Sequence, residues 1–323
     1  MYNPMEKRKI IFIAPEFYDY HKIITEKLKK LFGETFFFPE RKTNWLYTIL
    51  NNIHPKLINL YQKIYFFFVW QQIKKEENIT DFFMIKGNKM PIYFIKKLKR
   101  KYPNIRTTMY QWDSIKRYPY EYLISCFDKS YTFDYKDFDQ RKDLKFLQLF
   151  YTDDIKNIRD FKDSAQYDFF LFNSFTMERY DAIAKILDYC KKNNLTVKQF
   201  CYIPYRTFFK YKYLLRIPLD KSLLSFSPMN REEYIDCLSK CDIVVDINHS
   251  AQTGLSMRVT ETYGAGKKIL TTNKSIEKDP LYNKSWAQTF DINDIELSPF
   301  EKQERNSVTD ELYIDNWLKT ILG

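Results

Sequence analysis

Short β-branched and apolar runs alternate with helical stretches along most of this chain, and that alternation restricts the fold more than any other feature. The run "KIIFIAP" (9–15) is apolar throughout and ends in Pro, the pattern of a strand buried on both faces of a parallel sheet. Ile23, Ile24, Leu28, Leu31 and Phe32 follow at helical spacing within 19–32, with Gly33 placed as a cap, and "ETFFFPE" then predicts a second strand. A β-α-β start needs crossover helices and implies parallel pairing. Residues 44–77 predict one or two helices interrupted at Pro55. Strands are predicted in "DFFMIKG" (81–87), "IRTTMYQWDS" (105–114) and the first part of "DKSYTFDYKDF" (128–138), with a helix over 90–103. The first half therefore holds about five strands.

A second series begins at "YDFFLFNSF" (167–175) and continues with helix 179–194 and strand 197–204. Helix 227–241 has Asn230 as its N-cap, with Glu233 three residues later to complete a capping box. Strand 242–248, a loop, a helix and strand 267–273 follow, and "TDELYIDNWLKTIL" closes the chain as an amphipathic helix with an acidic first turn. Two consecutive series predict an α/β protein of two Rossmann-like domains with parallel sheets. The predicted boundaries are 1–155, 156–305 and a terminal helix at 306–323.

The chain has 323 residues and a net charge of +11, so its partners are anions: nucleic acid, acidic lipid head groups or phosphorylated substrates. Ten Lys and Arg with one acid, Asp113, lie between Lys86 and Arg117, which suits either a solvated basic face or contact with acidic lipid. The aromatic share of 18% accompanies abundant Lys, Asn and Ile, fits AT-rich codon usage, and is set aside as a functional signal. Five Cys without a CxxC, and only three His, read as free thiols of a reducing cytoplasm rather than a zinc site. The longest apolar-aromatic run, "YFFFVW" (65–70), falls far short of the ~20 residues of a membrane span, and no secretory signal is expected. A cytoplasmic protein, attached at most to a membrane surface, is the expectation.

Three of the six glycines fall between 254 and 266, in "CDIVVDINHSAQTGLSMRVTETYGAGKKILTTN" (241–273). Ligands of open parallel sheets gather beyond the carboxyl ends of the strands, where Asn248, His249, Ser250, Gln252, Thr253 and Gly254 lie. A helix beginning near Leu255 would aim its N–H groups at a phosphate there, and Gly254 would allow close backbone approach. Arg258 and Glu261 share one helix face. They could hold the diphosphate and the ribose of a nucleotide, or simply pair with each other on the surface. Gly264 and Gly266 read as the helix stop. "GAGKK" lacks the first glycine and the Ser or Thr of a P-loop.

This stretch resembles the signature of bacterial glycosyltransferases of lipopolysaccharide core and capsule synthesis, through Asp246, His249, Gln252, Gly254, Leu255, Arg258, Glu261, Lys267, Lys268, Thr272 and Asn273. Weaker likeness runs through "YQWDS" (110–114), "FDKSYTFDYKD" (127–137) and "MERY" (177–180). The resemblance implies a GT-B fold, with the donor nucleotide sugar in the C-terminal domain, the acceptor at the N-terminal one, and a final helix crossing back. It implies a hexosyl- or deoxyhexosyltransferase acting on a glycan or lipid-linked oligosaccharide. It also implies that Glu261 holds the ribose, that Arg258, Lys268 and Arg179 offset the leaving diphosphate, and that neither cofactor nor divalent metal is needed. This chain departs from the relatives at Asn173-Ser174, where they carry Gly-Thr, and at Thr253, where many retaining enzymes carry a second Glu. A general base for an inverting reaction would come from Asp113, or from Asp19 or His21 after the first strand. "YTDDI" (151–155) reads as a turn. Alternative readings are a basic nucleic-acid-binding protein and an inactive relative that binds glycan or nucleotide. Against the nucleic-acid reading, no RRM, KH or helix-turn-helix signature appears.

Overall fold

The computed structural model describes residues 7–42, 47, 55–159, 165–300 and 310–323. Most of the helix predicted over 44–54, the 305/306 boundary and Thr309 of the closing helix lie outside the described residues. The chain divides into two compact units. One comprises Met1–Gln148, Ala251–Gly254 and Ile314–Gly323, the other Leu149–Ser250 and Leu255–Tyr313.

The first unit is built on β1 (Arg8–Ala14), β2 (Gly33–Pro39), β3 (Asp81–Ile85), β4 (Arg106–Gln111), β5 (Lys129–Thr132) and β6 (Lys145–Phe146). They pair in parallel in the order β2-β1-β3-β4-β5-β6. Helices α1 (Tyr20–Leu31), α2 (Pro55–Ile73), α3 (Ile92–Lys101), α4 (Glu121–Ile124) and α5 (Tyr135–Gln140) connect them. All five residues of β3 are buried, as the unbroken apolar run requires. The sequence suggested about five strands; the sixth, β6, is a two-residue addition that pairs Tyr131 with Lys145 and Thr132 with Phe146. Gly33 is the first residue of β2 rather than a helix cap. Its φ is +134°, and a Cβ there would sit 2.5 Å from the Arg8 carbonyl oxygen.

The terminal helix Ile314–Leu322 belongs to this unit and starts after the acidic residues Asp310 and Glu311. Its Trp317 is fully buried, edge-on to Tyr110 at 4.8 Å and to Phe83 at 6.3 Å, and its indole N–H donates to the Gln148 carbonyl at 2.9 Å. Lys27 on α1 pairs with Asp315 at 2.7 Å.

The second unit is built on β7 (Tyr167–Ser174), β8 (Val197–Tyr202), β9 (Cys241–Asp246), β10 (Lys268–Thr271) and β11 (Ala287–Thr289), all parallel, in the order β11-β10-β9-β7-β8. Its helices are α6 (Asp153–Ile158), α7 (Met177–Lys192), α8 (Tyr205–Phe209), α9 (Arg231–Ser239) and α10 (Met257–Gly264). The capping box of α9 forms as predicted: Glu233 N–H donates to the Asn230 side chain, and Asn230 N–H donates to the Glu233 carboxylate. "YTDDI" is not a turn; it opens α6.

In each sheet the first strand lies between its two successors, so the chain direction of building reverses between β1 and β3 and between β7 and β9. The crevice outside the carboxyl ends of those strand pairs is where such sheets bind ligands. All five cysteines are free thiols. Among the described residues no helix is long and apolar enough to cross a membrane.

Candidate functional site

At the reversal point of the second sheet the carboxyl end of β9 carries Asp246, which is almost fully buried. Its carboxylate accepts hydrogen bonds from Ser256 Oγ at 3.0 Å, from Thr271 Oγ1 at 2.9 Å and from Arg258 Nη1. Arg258 stands in the first turn of α10, and the chain must fold β9-loop-α10 tightly for it to reach back to the strand it has just left. Its guanidinium carbon lies 5.9 Å from the Phe172 ring centroid, while its Nε is buried without a hydrogen-bond partner. Asn173, next along β7, is also buried, and neither its amide nitrogen nor its amide oxygen has a partner. Unmet buried donors and acceptors are uncommon in native proteins and mark places where a polar ligand or water completes the set. Here three such atoms belong to residues at one sheet edge.

Glu261, one turn after Arg258, is buried and takes a different partner. Arg231 at the start of α9 donates Nη1 to Glu261 Oε1 at 2.7 Å. The same guanidinium holds Asp154 through Nε at 2.8 Å and Nη2 at 3.1 Å, and Thr152 Oγ1 at 2.9 Å. Burial pushes the Asp154 carboxyl up, but the hydrogen bonds and charge of Arg231 outweigh it and hold the group below its ordinary value. Arg258 and Glu261 therefore do not pair with each other: each is fixed by a residue from elsewhere in the unit.

Arg179, at the start of α7, donates Nε to the Ile247 carbonyl at 3.1 Å, which places it at the same edge. Asn248 N–H donates to Thr272 Oγ1 at 2.9 Å, and His249 lies half-buried in the turn that follows. Leu255 is buried just before the Ser256 cap. Lys268 is the exception. It is the first residue of β10, paired in register with Ile243, and its ammonium is 3.3 Å from Asp242. It stands at the amino end of the sheet, opposite the edge that holds Asp246, and the structure does not bring it to the other donor residues.

Gln252, Thr253 and Gly254 pack with the first unit. Asp134 holds the last two: its carboxylate accepts from Thr253 N–H at 2.7 Å, Thr253 Oγ1 at 2.8 Å and Gly254 N–H at 3.0 Å. A Cβ on Gly254 would lie 2.5 Å from both the Phe133 carbonyl oxygen and the Phe133 ring, so the close approach that demands glycine here is made by Phe133, backbone and side chain together. Gln252 Nε2 donates to Asp113 Oδ1 at 3.2 Å.

Asp113 is further engaged by Lys86 at 2.7 Å and Arg117 at 3.4 Å. Asp19 sits in the left-handed region, φ 60°, with Lys22 at 2.9 Å, and the hydrogen bond from Lys22 keeps its carboxyl below the ordinary value. His21 is buried, stacked on Phe37 with ring centroids 5.1 Å apart, and its Nδ1 has no partner. Tyr20 packs edge-on to Trp112 at 5.9 Å, so the start of α1, with Asp19 and His21, meets the loop carrying Asp113 at one edge of the first sheet. The turn after β3 lies at that edge with Lys86, Gly87 and Lys89 all at positive φ. Glu40 Oε2 accepts from Gly87 and Asn88 N–H, both at 3.1 Å, and burial is the main cause that raises its carboxyl above the ordinary value.

The Lys86–Arg117 tract is not one face. Lys86 and Arg117 meet Asp113 at the carboxyl edge, whereas Arg106 meets Asp81 at the amino edge at 3.0 Å and Lys99 meets Asp128 at 2.8 Å. Sequence reasoning did not single out Arg231, Asp154, Asp134, Lys86 or Glu40. "MNREEY" showed the cap beside Arg231 but nothing of its partners. Among the described residues no group of three His, Cys, Asp or Glu side chains could hold a metal ion.

Comparison with solved structures adds the architecture. UDP-GlcNAc 2-epimerase from Methanocaldococcus jannaschii superposes with a TM-score of 0.54 at 10% identity, covering 97% of this chain and 99% of that one. The structure of the M. jannaschii enzyme in complex with UDP-GlcNAc and UDP gives 0.53 at 11% identity, with the same coverage. The chain has a GT-B fold. MurG from Acinetobacter baumannii is a weaker likeness, with a TM-score of 0.47 at 11% identity over 98% of this chain and 90% of that one. No protein-family model and no curated protein matches the sequence. Within the GT-B fold, the Asp246–Arg258 pair occupies the β9-α10 corner of the second Rossmann-like unit, and the Arg231–Glu261 pair links α10 to the start of α9.

Proposed function

We propose that the chain is a glycosyltransferase that binds a nucleotide sugar at the carboxyl edge of its second sheet and passes the sugar to a lipopolysaccharide or capsule glycan at the inner membrane face. The observation that carries this reading is the Arg258–Asp246 pair beside Glu261, with unpartnered Arg258 Nε and Asn173 at the reversal point of the sheet. A diphosphate would lie on the first N–H groups of α10 and on Arg258 and Arg179. Arg231 holds the Glu261 carboxylate in one orientation, suited to accepting hydrogen bonds from ribose hydroxyls. UDP-GlcNAc and UDP in the M. jannaschii complex support a nucleotide sugar as the ligand. In the transfer, the acceptor oxygen bonds to the anomeric carbon as the bond to the diphosphate oxygen breaks. The cations stabilise the charge that develops on the leaving group. In an inverting transfer, Asp113, Asp19 or His21 takes the acceptor's proton. No metal or cofactor is assigned a step.

A second reading, epimerisation of the nucleotide sugar without any acceptor, is supported by the activity named for both M. jannaschii structures. Thermal shift with UDP-, GDP- and CDP-linked sugars tests the shared part of the two. Ligand at a hundred times Kd stabilises by about 2.7 kcal/mol, and the shift should vanish in Arg258→Gln and shrink in Glu261→Gln. An undiminished shift in both variants would remove the site. Incubation of the stabilising donor with and without glycan acceptors then separates transfer, which releases nucleoside diphosphate only with acceptor, from epimerisation, which needs none.

A further inference from the structure

The segment after β8, "YRTFFKYKYLLR" (205–216), forms α8 and then a turn of wider π-type helix, Lys210–Leu214. Tyr205, Phe209 and Tyr213 recur every four residues, on one side of the helix. They are 69%, 57% and 55% exposed, and Leu214 and Leu215 beyond them are 71% and 51% exposed. Soluble surfaces show such residues singly and seldom in one contiguous group. The group is held firmly from beneath. Phe208, Ile203, Leu219 and Tyr180 make a small buried cluster, and Tyr205 stacks on Phe226 at 4.5 Å. Arg206, Lys210, Lys212 and Arg216 interleave with the exposed residues, and no Asp or Glu occurs from Tyr205 to Leu219.

From this juxtaposition we propose that the 205–216 segment is a docking surface for an anionic lipid bilayer, with Phe209, Tyr213, Leu214 and Leu215 entering the headgroup boundary and the Lys and Arg side chains meeting lipid phosphates. Tyr, Phe and Leu beside Lys and Arg are the residues of such interfacial helices. The charge pattern argues against a second copy of the chain as the occupant, because the same four cations would face each other. It complements a surface of negative headgroups, where each cation adds to binding. The proposal stands on this segment alone and does not depend on which sugar chemistry the protein performs.

Co-sedimentation of the full chain with vesicles tests it. The protein is expected to pellet with phosphatidylglycerol–phosphatidylcholine vesicles in equal parts, to stay in solution with pure phosphatidylcholine, and to be released by about 0.5 M salt. Phe209→Ser with Leu214→Ser, and separately Arg206→Glu with Lys210→Glu, should each reduce partitioning about tenfold or more. All four side chains are exposed, so the melting temperature should hold, and nucleotide-sugar thermal shift in the same variants is expected to be unchanged. Tyr213→Trp adds a direct reading: its emission should move to the blue only with anionic vesicles. Wild-type protein that stays in solution with anionic vesicles would overturn the proposal. So would variants that pellet as well as wild type, or a dimer in solution that Phe209→Ser with Leu214→Ser dissolves.

Discussion

Arg231 Nη1 lies 2.7 Å from Glu261 Oε1, and the other edge of the same guanidinium holds Asp154. One cation thus ties the first turn of α9 to α10 and α6. Removing it takes the cation away from two carboxylates, one nearly fully buried, whereas removing Glu261 leaves Arg231 with Asp154. Breaking a buried pair costs about 3–5 kcal/mol. Arg231→Ala should fall in that range and Glu261→Ala below it, as read by urea denaturation. Equal losses would mean that Asp154 does not retain the guanidinium. The Asp154 carboxyl is depressed in the folded protein, so its contribution is present above the ordinary carboxylate value near 3.8 and is lost as pH falls through the lowered folded value.

Glu40 has the opposite sign. Its folded carboxyl is raised, chiefly by burial, so the wild type has its full stability below the ordinary value of 4.5 and loses part of it as pH rises through the folded one. Glu40→Gln keeps an acceptor for Gly87 and Asn88 N–H and removes the ionisation. The variant should melt above wild type at pH 7 and together with it below about pH 4.5. A variant less stable than wild type at neutral pH would show that the charge itself holds the 86–89 turn.

Gly264 and Gly266 are two residues apart and should respond differently. A Cβ on Gly264 would lie 2.3 Å from Tyr151 Cγ, a collision with a buried ring. Gly264→Ala should cost about 1–3 kcal/mol by overpacking. At Gly266 a Cβ would make only an ordinary contact, with Arg159 Cγ at 3.7 Å, but φ is +65°. Gly266→Ala should cost about 1 kcal/mol from backbone strain alone. Calorimetry on the two variants checks the order.

Trp317→Ala removes the ring packed on Tyr110 and Phe83 and the donor to Gln148. A loss of about 3–5 kcal/mol is expected, read as a lower melting temperature. Little change would show that the terminal helix is not integral to the first unit's core.

Several secondary-structure elements with a strong local pattern are legible in the sequence, whereas the helices at 135–140 and 205–214 are not. The buried strands β1, β3, β7 and β9 follow from unbroken apolar runs, and the α9 capping box follows from Asn230 and Glu233 three residues apart. Elements with little local pattern were not legible. β6 is two residues long and is a strand only because β5 lies beside it, and the six residues of α6 are too few to show a period.

The candidate site divides in the same way. The sequence alone placed Asn248, His249, Arg258 and Glu261 beyond a strand and at a helix start, because that placement needs only the order β9-loop-α10. It could not say that Arg258 turns to Asp246, that Glu261 meets Arg231 thirty residues away, or that Asp134 takes the N–H groups of Thr253 and Gly254. Lys268 shows the reason most plainly. It is ten residues from Arg258 in the chain, yet a parallel strand must start at the end of the sheet where its neighbour starts. Pairing with Ile243 therefore places Lys268 beside Asp242 and away from the edge where Asp246 ends. Local periodicity decides which residues form a strand or a helix, and only the register of the assembled sheet decides which side chains share an edge.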